Sequence, residues 1–316
     1  SKMINIGILQ VGQLVAFIEY LFHAMFSLML FSNVFVMYPK AQVSAERIEE
    51  ILTTEPLIKN PKNGVTKTNN EGTLEFNDVT FIYPDGEEAV IKNVSFKAKK
   101  GETIAFIGST GSGKSTLINL IPRFYDVTSG SIKIDGIDVR DFNIKTLRSK
   151  IGFIRQKTLL FTGSIKSNIK FGKQEASHDE VVESAKTAQA YDFISKKELK
   201  FDEPIGEGGS NVSGGQKQRL SIARALVRKP EIYIFDDSFS ALDFKTDAIL
   251  RAELKKETAD AIVLIVAQRI GSIMEADKII VLDEGKVVGC GKHKELLKSC
   301  SVYKEIALSQ LTEEEL

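Results

Sequence analysis

The apolar and polar positions divide the chain into two unequal parts. From Leu14 to Tyr38 nearly every residue is apolar, broken by Glu19, His23 and a few small polar residues. That run is long enough to cross a bilayer as one helix. A signal peptide fits less well, because no basic segment precedes the run and no cleavage-type end follows it; a buried core helix is the other alternative. Glu19 is costly against lipid and calls for a protein interior or a water-filled cavity, which argues against a lone span. The apolar piece Ile4 to Leu9, followed by Val11-Gly12, reads as the tail of a preceding span and its turn. Lys40 and Arg47 place the C-terminal end of the long run on the cytoplasmic side. Val43, Ile48 and Leu52 continue at helical spacing, so the span extends into the cytoplasm up to Leu52.

Residues 53–72 hold Pro56, Pro61, Gly64 and Asn69-Asn70, a turn-rich linker. A second domain then runs from Thr73 to Leu316. Leu74 to Phe81 alternates as a strand, Pro84-Asp85-Gly86 marks a turn, and Val90 to Ala98 and Thr103 to Ile107 read as further strands. Ser115 to Ile121 reads as a helix stopped by Pro122. Ser131 to Val139 is strand-rich with a turn at Asp135-Gly136, and Ile151 to Ile154 is a strand. Ser177 with Glu180 forms a capping box for a helix to about Ala190. A helix over Ser213 to Arg228, a strand at Ile232 to Phe235, a helix over Lys245 to Thr258, strands at Ile262 to Val266 and Lys278 to Leu282, and a helical C-terminus complete the series. Alternating strands and helices predict an α/β fold with ligand at the C-terminal ends of the strands.

Composition changes this picture little. Of 316 residues 43% are hydrophobic and 27% charged, ordinary for a globular protein. The 42 basic and 42 acidic residues cancel, so no global field favours nucleic acid and none is expected as a partner. Cys290 and Cys300 are too few for a disulfide framework, are separated by a predicted helix, and are expected as thiols. His23, His178 and His293 are scattered without metal-ligand spacing.

The chemistry begins at Gly108-Ser109-Thr110-Gly111-Ser112-Gly113-Lys114-Ser115, set between a buried strand and a helix. Glycines let the backbone fold tightly around a phosphate, with N–H groups and the helix N-terminus aimed at the anion. Lys114 would reach the β- and γ-phosphates and the Ser115 hydroxyl would bind magnesium. The strand Ile232-Tyr233-Ile234-Phe235 ends in Asp236-Asp237, and beside a P-loop the first of these would hold the same ion. Ser213-Gly214-Gly215-Gln216 opens a long helix and forms a second place where backbone N–H groups could meet phosphate.

Two anion-binding helix starts in one chain resemble the nucleotide-binding domain of an ATP-binding cassette (ABC) transporter. The resemblance implies a P-loop, RecA-like α/β core with an antiparallel β subdomain and a helical subdomain. It also implies head-to-tail dimers that sandwich two ATP molecules with magnesium, the signature loop of each subunit closing on the other's nucleotide. By this likeness Tyr83 stacks on adenine, residues Gly108 to Thr116 hold the phosphates, and Gln156 couples magnesium and water to the membrane domain. Ser240-Ala241-Leu242-Asp243 matches the D-loop at the dimer interface. Ile205-Gly206-Glu207-Gly208-Gly209 resembles an exporter-type loop, with Gly208 where arginine is usual. A span joined directly to the ATPase domain implies an exporter half-transporter in the cell membrane, with its nucleotide-binding domain in the cytoplasm. Residues 1–52 then correspond to the end of the fifth span, the sixth span and its extension.

The chain departs from that family twice. Asp237 stands where the family has the glutamate that positions the attacking water, and it is one methylene shorter. A retreat of about 1 Å in a catalytic group can cost roughly a hundredfold in rate. Gln268 stands in place of the switch histidine; it donates a hydrogen bond but cannot become cationic or relay a proton. Both changes at once resemble the degenerate half of a heterodimeric exporter, whose intact Ser213-Gly214-Gly215-Gln216 completes the partner's catalytic site. A homodimeric exporter hydrolysing slowly through Asp237 is the alternative. A soluble cassette ATPase is disfavoured by the apolar run.

Overall fold

The computed structural model describes residues 10–68 and 72–311. The expected preceding span at Ile4 to Leu9 lies outside the described residues, as does Asn69-Asn70. Contacts divide the chain into two compact units, Ser1–Leu57 and Ile58–Leu316.

The first unit is dominated by helix α1, Val11–Thr53, with no buried residue. Its most apolar 18-residue window has a mean hydropathy of 1.9, so it is apolar all round at bilayer depth, as lipid demands. At 1.5 Å per residue its 43 residues extend about 65 Å, twice the hydrocarbon thickness, and the polar second half has no need of lipid. Pro39 lies inside the helix where the apolar run ends. It has no N–H, so the carbonyl of Phe35 loses its helical partner at this boundary.

The second unit opens with strands β1 (Thr73–Phe81), β2 (Ile91–Lys99) and β3 (Thr103–Ile107), then helix α2 (Lys114–Leu120). Strands β4 (Ser129–Ile134) and β5 (Ile137–Asp138) form the expected hairpin. Asp135 (φ 52°) and Gly136 (φ 76°) both take the left-handed backbone that such a tight turn requires. Next come α3 (Ile144–Ser149), β6 (Ile151–Ile154), β7 (Gly163–Ser164), α4 (Ile165–Lys170), α5 (His178–Thr187), α6 (Tyr191–Ser195), β8 (Pro204–Ile205) and α7 (Gly214–Leu226). The chain ends through β9 (Ile232–Asp236), α8 (Phe244–Glu257), β10 (Ile262–Val266), β11 (Lys278–Asp283), β12 (Lys286–Gly291), α9 (His293–Ser299) and α10 (Ser301–Leu308).

The strands form two main sheets. One is antiparallel, in the order β2-β1-β4-β5; the other runs β12-β11-β3-β10-β9-β6 and is parallel apart from its edge strand β12. Strand β10 is apolar at every position, β3 is apolar after Thr103 and β9 is apolar up to Asp236, because both faces of the central sheet are covered. Ile104, Phe106, Ile234 and Leu264 face a core shared with the antiparallel sheet and α2. Ala105, Ile107, Phe235, Val263 and Ile265 face a second core with Leu220 of α7 and Val181 of α5.

The capping box at Ser177 is present: Glu180 N–H donates to Ser177 Oγ (3.1 Å) and Ser177 N–H to Glu180 Oε2 (2.7 Å). Strand β12 replaces the first part of the expected helical C-terminus. Val65, within the turn-rich stretch, donates to the carbonyl of Asp141 (2.9 Å) and accepts from Asn143 N–H (3.0 Å), so its backbone groups are satisfied by the second unit.

Candidate functional site

The loop from Gly108 to Gly113 leaves β3 and enters α2. A Cβ on Gly108 would lie 2.0 Å from the carbonyl oxygen of Leu282, so no other residue fits where the loop crosses β11. Gly113 caps α2 at φ 95°, and an added Cβ would meet Ile91 Cδ1 at 2.7 Å. Lys114 turns into the loop: its Nζ donates to the carbonyls of Gly108 (2.8 Å) and Ser109 (2.7 Å) and to Ser112 Oγ (3.2 Å). Burial lowers the pKa of this ammonium, opposed by the charges of Asp236 and Asp237. The result is a cation anchored inside a tight loop at a helix start, a cradle suited to an anion.

The two acids at the end of β9 take different roles. Asp236 Oδ1 accepts from Ser115 Oγ at 3.1 Å, bringing an exposed hydroxyl and a half-buried carboxylate together at the cradle's edge. Burial raises the Asp236 pKa, against the Ser115 hydrogen bond. Asp237 leaves the strand in the left-handed region (φ 46°), and its N–H donates to the carbonyl of Val266 (2.9 Å). Its Oδ2 accepts from Gln156 Nε2 (2.8 Å) and from Gln268 Nε2 (3.0 Å). Burial raises this pKa as well, while the Gln156 hydrogen bond lowers it.

Three residues 81 and 31 positions apart meet because of sheet order. Strand β9 lies between β6 and β10, with Ile154 opposite Phe235 and Val266 opposite Asp236. Gln156, Asp237 and Gln268 each follow their strand by one or two residues, so parallel pairing delivers all three to one edge.

Tyr83 follows β1. Its hydroxyl lies 3.0 Å from Thr116 Oγ1 in the first turn of α2, and its ring stands edge-on to Phe81 and Tyr125, with centroids 4.8 and 5.2 Å away. An aromatic surface is thereby tied to the phosphate-type cradle. Ser213 caps α7 by a reciprocal box: Ser213 Oγ accepts from Gln216 N–H (3.3 Å) and Gln216 Oε1 from Ser213 N–H (3.0 Å). An added Cβ on Gly215 would lie 3.2 Å from the carbonyl of Ala241, so this loop sits against the Ser240–Asp243 turn. Ser213 to Gln216 hydrogen-bond within their own cap and are not drawn into the Lys114 cradle.

Two further contacts shape the site, the first from a residue with no sequence signal and the second within the turn matched to the D-loop. Tyr125 braces Tyr83 from a segment without periodicity, and the Ser240 hydroxyl donates to the carbonyl of Asp237 (3.0 Å), fixing the turn from within.

Residues 91–240 match the family profile described as ABC transporter. An uncharacterized ABC transporter ATP-binding protein of Mycobacterium tuberculosis is 42% identical over 311 residues, 97% of this chain and 53% of that protein. The uncharacterized ABC transporter ATP-binding protein YfiB of Bacillus subtilis is 44% identical over 314 residues, 99% of this chain and 54% of its own length. The chain thus spans about half the length of the curated relatives it matches. Among solved structures, a bacterial Atm1-family ABC exporter with ATP bound superposes with a TM-score of 0.83 at 32% identity, over 97% of this chain and 54% of that one. The chain carries the nucleotide-binding domain of an ABC transporter preceded by an apolar N-terminal helix, and along nearly its whole length it is similar to an ABC exporter.

Proposed function

We propose that this chain is the ATP-binding part of an exporter subunit that works in a head-to-tail dimer in the membrane. Residues 1–52 are the end of its membrane domain, 53–72 the linker and 73–316 the cytoplasmic nucleotide-binding domain. Tyr83 takes the adenine, Gly108 to Thr116 take the phosphates, and Ser213 to Gln216 reach across to the partner's nucleotide. The site also suits magnesium: a hydroxyl and a carboxylate oxygen 3.1 Å apart are hard ligands, and burial penalises the charge of the two neighbouring acids, which a divalent ion would offset. Ser115 and Asp236 would hold the ion, with Gln156 alongside, and it would neutralise charge on the β- and γ-phosphates.

We further propose that this chain's own site holds ATP and hydrolyses it slowly, while its signature loop completes a catalytic site on a different subunit. The observation that carries this reading is the double amide contact on Asp237 Oδ2. A general base must keep a carboxylate oxygen within hydrogen-bond reach of water. Here the shorter side chain has one oxygen occupied by two amides, and Gln268 cannot carry a proton away. The test is ATPase turnover of the assembled pair after the partner's catalytic glutamate is changed to glutamine. Turnover is expected to fall about a hundredfold; near-full residual activity from this site would overturn the asymmetric reading.

A further inference from the structure

Helix α10 is anchored in the second core, where Tyr303 and Ala307 are fully buried beside Ile279 and Val281. Just beyond it, Gln310 reaches back 42 and 40 residues to the loop that carries Gln268. Its Nε2 donates to the carbonyl of Gln268 (2.7 Å) and its Oε1 accepts from Ile270 N–H (2.8 Å). One side-chain amide therefore supplies both bonds that a neighbouring strand would supply. On its sheet side the same loop is held by Ala267 N–H donating to the carbonyl of Phe106 (3.1 Å), and the carbonyl of Val266 accepts from Asp237 N–H (2.9 Å). With its backbone held at both ends, the loop sends the Gln268 side chain to Asp237 Oδ2 (3.0 Å).

We propose that Gln310 is a positioning residue for the nucleotide site: it clamps the Gln268 backbone so that the Gln268 amide stays on Asp237. Retention of nucleotide at this site then depends on the C-terminal segment. The inference rests on the reading of Gly108 to Ser115 with Asp236 and Asp237 as the ATP site. The physical basis is local. Without Gln310, a loop N–H and a loop C=O lose their partners, and the backbone gains conformers in which Gln268 no longer reaches Asp237.

The test uses the full protein purified with its partner from membranes, the other nucleotide site being disabled at its P-loop lysine. The readout is release of radiolabelled ATP in the presence of magnesium. Gln310→Ala is expected to release label about fivefold faster, the scale of one neutral hydrogen bond. Gln268→Ala should match it, and the double variant should be no faster than either single, because both act through one contact. A purely structural role would lower the melting temperature and speed release equally in the Gln268→Ala background. Unchanged release, or additive effects, would overturn the clamp. Lys114→Ala separates the two levels: if it leaves ATP binding intact, the ATP-site reading itself falls. If Lys114→Ala abolishes binding and Gln310→Ala changes nothing, only the clamp falls. Should Gln310→Ala not fold, Gln310→Glu keeps the acceptor for Ile270 and removes the donor to Gln268, and the same acceleration is expected.

Discussion

At the scale of residues, the site is governed by where charge is buried. Asp236 and Asp237 have raised pKa values because half-burial penalises their ionised forms. A carboxylate whose folded pKa lies above its unfolded value contributes stability that is fully present below the unfolded pKa and is lost as pH rises through the folded one. Ionised Asp237 therefore weakens the nucleotide-free fold at neutral pH. Asp237→Asn keeps an oxygen for Gln156 and Gln268 and removes the charge. In thermal melts without nucleotide, the variant is expected to melt above the wild-type chain at pH 7. The two should converge as pH falls through the carboxylate range, and a constant difference across that range would refute the electrostatic account.

The sequence named Gln156, Asp237 and Gln268 separately, each from its own motif. Nothing in it indicated that one carboxylate oxygen would accept from both amides, because that depends on β9 lying between β6 and β10. Gly108 was legible as a P-loop glycine. That its missing Cβ makes room for the carbonyl of Leu282 depends on β11, over 170 residues later in the chain.

At the scale of elements, strands marked by apolar runs matched their expectations, and the shortest helices gave no signal of their own. Strands β6 and β10 occupy the expected residues, since short apolar runs rich in isoleucine, valine and phenylalanine favour a buried strand. Helices α3, α4 and α6, of six, six and five residues, are too short to show a period and are held by tertiary contacts. Helix α7 links element to function. Its cap orients Ser213 to Gln216, and it buries Leu220, Ile222 and Ala223 under the helical layer. Ser213→Ala removes the cap acceptor and should cost about 1 kcal/mol of stability. If the loop serves the partner's nucleotide, the same change should reduce turnover of the assembled pair while leaving ATP binding at the Lys114 cradle unchanged. Loss of binding at the chain's own cradle would contradict that assignment.

At the scale of the whole molecule, the chain joins an apolar helix to a domain with two buried cores. Every residue of α1 is solvent-accessible, and so large an apolar surface needs lipid or other spans to cover it. The full protein is expected in the membrane fraction, resistant to high salt and released by detergent, and to bring a second subunit with it on purification. Recovery in the soluble fraction would contradict the exporter assignment.

The sequence by itself determined the apolar span, the strand–loop–helix that makes a phosphate cradle, and the identity of the two departures, Asp237 and Gln268. These rest on local rules: apolar length, glycine spacing and side-chain chemistry. Only the tertiary structure decided that Tyr83 is tied to Thr116, that Gln156 and Gln268 share one carboxylate oxygen, and that Gln310 clamps the Gln268 loop. Those contacts join residues 31 to 81 positions apart. The contacts on Asp237 exist because parallel pairing brings three strand ends together, and the other two because the antiparallel sheet and the last helix pack on the two faces of the central sheet, a geometry that no local stretch of the chain encodes.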